Sequence, residues 1–154
     1  MKINQAMISA IIMRGSQVLL ATAVLLFLGF LASPTFVDSV AADGTVMSML
    51  PGWAAVLAGV VFLPSAAVHF QHGAVLLVFL LFTVLAFIVL PMLVWWRRFR
   101  PWFLRVFFSL AFVAGFVSMA KLIGRSDHVG FDVYLWLLAA VAATAFCLLP
   151  QDDT

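Results

Sequence analysis

Between Ala74 and Trp96 the chain runs for 23 residues without a charge. A basic knot follows, Arg97-Arg98-Phe99-Arg100, and then Pro101, whose ring fixes φ and removes a backbone donor. A second apolar run continues from Trp102 to Ala120, interrupted only by Arg105, and Lys121 closes it. About 20 apolar residues at a rise of about 1.5 Å each cross a hydrocarbon core of about 30 Å. Two bilayer-length segments joined by an arginine-rich turn leave the chain few ways to fold other than across a membrane. The arginines set which way it faces.

Composition agrees. Of 154 residues, 66% are hydrophobic and 9% are charged. A soluble domain carries about 25% charged residues, so this chain cannot cover a water-facing surface. The sequence predicts a single all-α integral membrane domain over 1–154. The net charge of +2 comes from basic residues clustered at segment ends, a topology signal and not a nucleic-acid footprint. Cys147 is the one cysteine, which excludes an intrachain disulfide and a cysteine-rich metal site; it reads as a small apolar residue within the last run. Glutamate is absent, and no nucleophile–base pair or glycine-rich phosphate loop stands out. The chain reads as a non-enzyme without a cofactor.

Taken in order, residues 1–16 have an amphipathic pattern and predict an interfacial helix leading into the first span, 18–37. A cleaved leader is the competing reading, with Val18–Leu31 as its apolar region and Ala32-Ser33 as its small residues. The long basic start, and Pro34 at the first mature positions, disfavour it. Residues 38–50 are polar and predict a loop, with short strand character at 45–49. Residues 51–70 are apolar enough to span, but Pro51-Gly52 and Pro64 interrupt them, and His69, Gln71 and His72 follow with almost no connecting loop.

Charge counting decides between five spans and four. With 51–70 re-entrant or interfacial, Lys2, Arg14, Arg97, Arg98, Arg100 and Arg105 share the cytoplasmic side, against Lys121 and Arg125. The expectation is therefore a four-helix bundle with spans 18–37, 74–96, 102–123 and 131–149. Both termini are then expected on the cytoplasmic side. Within the second span Pro91 predicts a kink, with Thr83 back-bonding one turn below. In the third, Ala111, Gly115 and Ser118 fall at i, i+4 and i+7, a small face that permits close helix approach.

Few residues carry chemistry. Lys121 lies near the outer end of its span and fits an interfacial anchor. It also fits a lipid- or partner-binding group beside Ser118, with Asp132 or Tyr134 from the next helix. His69 and His72, at i and i+3, have the spacing of two metal ligands, but their place at a segment end fits headgroup contact better and is wrong for haem between spans. Arg97, Arg98, Arg100 and Arg105 set topology and suit anionic lipid headgroups.

Trp102, Val106-Phe107 and the run Val117-Ser118-Met119-Ala120-Lys121-Leu122, with Gly130 and Tyr134 beyond a short loop, resemble the paraquat-inducible protein A family in their order. Pro91 before the basic loop and the polar stretch after the first span correspond as well. Three features depart from that pattern. Arg105 stands where the family usually has an acid, Val94 or Trp95 where it often has a lysine, and there are no zinc ribbons. The resemblance implies one four-helix inner-membrane module that moves lipid between membranes with a periplasmic mammalian-cell-entry (MCE) domain protein. Ser118 and Lys121 would be carried into its polar patch. The alternative is a non-catalytic structural subunit of a larger membrane complex, suggested by 16 phenylalanines, five tryptophans and little reactive chemistry.

Overall fold

The computed structural model describes residues 5–40, 46–68, 72–96, 101–123 and 133–149. Among the described residues, five helices and one two-stranded hairpin make up the fold. In chain order they are α1 (Gln5–Ala32), β1 (Pro34–Val40), β2 (Val46–Pro51), α2 (Gly52–Val68), α3 (His72–Trp95), α4 (Trp102–Ile123) and α5 (Val133–Leu148). Three helices, α1, α3 and α4, are long and apolar enough to cross a membrane. α5 is equally apolar but has 16 residues.

The first element differs from the sequence reading at both ends. α1 is continuous from Gln5, so the interfacial helix and the first span are one rod of 28 residues. It stops at Ala32 rather than at residue 37. Ser33 precedes Pro34, and a residue before proline is pushed out of the helical region. The Ser33 amide still donates to Gly29 O at 3.0 Å, and there the helix ends.

The polar stretch read as a loop is largely an antiparallel hairpin, so the architecture is not purely α. β1 and β2 pair from Pro34↔Pro51 to Val40↔Val46, with bulges that shift the register. The strand character expected at 45–49 extends to Pro51. The hairpin closes tightly: the Gly52 amide donates to Ser33 O at 3.1 Å. A Cβ at Gly52 would sit 2.4 Å from the Phe30 carbonyl oxygen, so only glycine fits this approach.

α5 packs between α1 and α4, and α4 packs on α3. Early α4 meets late α5 at Arg105 and Cys147, so these two helices are antiparallel. The end of α1 meets the start of α5, where a Cβ on Gly29 would lie 3.5 Å from a Leu135 methyl. One end of the body, the Lys121 end, therefore gathers the end of α1, the end of α4 and the starts of α2, α3 and α5. The other, the Arg105 end, holds the start of α4 and the end of α5.

An aromatic cluster fills the interior. Phe27 of α1 stacks on Phe87 of α3 with centroids 4.4 Å apart. Trp136 of α5 meets Phe27, Phe30 and Phe87 edge-on at 5.7, 5.1 and 5.8 Å. Phe112 of α4 joins at 4.7 Å from Phe87. The outer surface is apolar as well, with Leu25, Leu85, Ile88, Leu110, Val113 and Leu138 all exposed. A chain apolar both inside and outside gains nothing from burying oil out of oil. Close packing and interhelical hydrogen bonds must hold it together.

Candidate functional site

The small face of α4 produces the close approach its spacing predicts. Ala111, Gly115 and Ser118 are all buried. Gly115 meets Thr83 so closely that an added Cβ would lie 2.2 Å from Thr83 Oγ1. The Thr83 hydroxyl back-bonds to Phe79 O at 2.8 Å, the local bond the sequence predicts. It also lies 3.0 Å from Ala111 O on α4, a cross-helix partner that the sequence does not reveal.

Arg105 has a role beyond topology. Its Nε donates to Cys147 O at 2.9 Å, and a second guanidinium nitrogen donates to Leu149 O. Cys147 O belongs to the last turn of α5 and Leu149 O lies one residue beyond it, carbonyls for which the helix supplies no donor. The partial negative charge at a helix C-terminus favours the cation there. Arg105 thus latches the start of α4 to the end of α5. Trp95, Trp96 and Trp102 stand exposed at the same end, in the pattern of an aromatic interfacial belt.

At the other end the candidate residues separate. Ser118 is 3% exposed and turned into the bundle, whereas Lys121, one turn on, is exposed. They share no buried pocket, because a three-residue step along α4 carries Lys121 off the packed face. Tyr134 stands half-exposed in the first turn of α5, at the same end as Lys121. Asp132, His69, Arg97, Arg98 and Arg100 lie outside the described residues, and so does the side chain of His72, which opens α3.

Among the described residues no three histidine, cysteine, aspartate or glutamate side chains gather where a metal ion would sit. Two buried polar atoms have no hydrogen-bond partner among the described residues: Ser109 Oγ and the Trp136 indole nitrogen. Sequence reasoning missed Arg105 as a latch, Trp136 as the aromatic hub and Gly52 as a close contact. Only Gly52 carried a local signal, the Pro-Gly pair. No protein-family model, curated protein or solved structure matches the chain.

Proposed function

We propose that the chain is a four-span module of a bacterial inner membrane that works with a periplasmic MCE-domain protein in moving lipid between membranes. The observation that carries this reading is the polarity of the body. Lys121, Tyr134, the hairpin and both neighbours of α2 collect at one end, and Lys121 is exposed there. An exposed ammonium at the membrane edge suits a lipid phosphate or an acidic partner surface.

The path of α2 supports four spans over five. It starts against Phe30 and Ser33 at the Lys121 end, and three residues separate its end from α3. α3 must itself start at that end, because its C-terminus feeds α4 at the Arg105 end. A helix of 17 residues, about 25 Å long, that began and finished near one end would lie across the body rather than along it. Both termini then fall on the arginine-rich side, which is cytoplasmic by the positive-inside rule.

The second reading, a structural subunit of a larger complex, is favoured by the aromatic-filled interior of Phe27, Phe87, Phe112 and Trp136. Affinity purification of the tagged chain in gentle detergent, with mass spectrometry of proteins and lipids, separates the two. An MCE-domain protein and phospholipid are the expected companions, reduced in Lys121→Ala at equal expression. Stoichiometric recovery of other large subunits, with Lys121 dispensable, would replace the first reading with the second.

A further inference from the structure

α1 is one rod, but its two parts lie in different surroundings. Its bilayer-length window is Met13–Ala32, and residues 5–12 continue the helix for about 12 Å beyond it. Ser16 is buried, and Leu19 and Leu20 pack against the core. On the other side of that point Ile11, Met13, Arg14 and Gly15 are all exposed. The helix therefore leaves the bundle at Ser16, on the Arg105 side.

The part that leaves is not built for water. No charge occurs from Gln5 to Met13. Met7, Ile8 and Ile11 share one helical side by spacing, and Gln5 and Ser9 share the other. Met7, Ile11, Arg14, Val18 and Leu25 fall along a single stripe of α1, and Val18 and Leu25 are exposed where the helix crosses the hydrocarbon layer. Held straight, the rod carries the start of that stripe past the headgroups into water. Bent away from the bundle, it turns the same stripe toward the bilayer and buries it about 5–10 Å deep at the acyl boundary.

The junction is suited to bending. Gly15 has no side chain, and among the described residues nothing lies within 4 Å of where its Cβ would be. Ser16 Oγ donates to Met13 O at 2.8 Å, a back-bond of the kind that bends helices. We infer that Gly15-Ser16 is a hinge, and that residues 5–14 form an arm that swings onto the cytoplasmic leaflet when anionic phospholipid is present. Lipid covers the apolar stripe, because the stripe is continuous with the lipid-facing side of the span. Arg14, exposed at the junction, supplies the charge that favours an anionic surface. This rests on the membrane-embedded reading and is independent of the MCE partner.

The test places a polarity-sensitive fluorophore on Ile11→Cys in the full chain, with Cys147→Ser to leave one thiol and keep the latch carbonyl. In vesicles of phosphatidylcholine with about one-third phosphatidylglycerol, quenching by aqueous acrylamide is expected to fall about threefold relative to phosphatidylcholine alone, and quenching by brominated acyl chains to rise. Gly15→Ala with Ser16→Ala stiffens the junction without a clash, and it should return the label to acrylamide in both vesicles. Equal acrylamide access in both vesicles, or an arm still embedded after the double substitution, would overturn the inference. So would a label shielded from both quenchers, which would mean that protein covers the stripe. Loss of the MCE reading would appear separately, as a missing partner in the purification.

Discussion

At the Arg105 end a cation is locked between two helices; at the Lys121 end a cation on the same helix is left exposed. Antiparallel packing explains the difference. Where α4 begins, α5 ends, and a helix end offers carbonyl oxygens that a guanidinium can take. Where α4 ends, α5 begins, and a helix start offers N–H groups, which a cation cannot use. The backbone at the start of α5 therefore offers Lys121 no counterpart of the carbonyl latch, and its side chain stands exposed. Two basic residues that look alike in sequence become a latch and an open contact through chain direction alone.

Substitutions along α4 test that contrast. The largest effect is expected above the latch, at Gly115→Leu. Its Cβ alone would collide with Thr83, and overpacking of this kind costs about 3 kcal/mol or more, read as loss of the monodisperse species in detergent. Arg105→Ala comes next. It strands the Cys147 and Leu149 carbonyls and should lower stability by about 2 kcal/mol in a thermal scan. Arg105→Lys should recover only part of this, since an ammonium lacks the two-pronged geometry. Thr83→Val removes the bond to Ala111 and should cost about 0.6 kcal/mol by the same scan. Lys121→Ala should change stability by less than about 0.5 kcal/mol while reducing co-purified lipid or partner. If Lys121→Ala unfolded the chain as readily as Arg105→Ala, the contrast between the ends would collapse.

Much of the helical body was legible because its signals are local. Apolar run length sets α3 and α4 to within two residues of the expected 74–96 and 102–123. The small face at Ala111, Gly115 and Ser118 is a spacing rule that the packing obeys. What stayed hidden depends on contacts distant in sequence. The Arg105 latch joins residues 42 and 44 positions apart. The second Thr83 contact reaches 28 positions away. The hairpin was obscured differently: its residues mix polar and apolar types without clean alternation, and its register slips. Lys121 and Ser118 looked paired because i, i+3 neighbours share a helix side, but the edge of the packed face falls between them.

The contact between Ser33 and Gly52 makes everything from Pro34 to Pro51 a closed excursion. The chain leaves the end of α1, turns through the hairpin, and comes back to within one hydrogen bond of its departure point. Such a segment is topologically detachable, since a short linker could bridge its base without moving α1 or α2. The hairpin can therefore be exchanged or reshaped as a cassette while the helical body stays constant, much as a tool head is changed on a fixed handle.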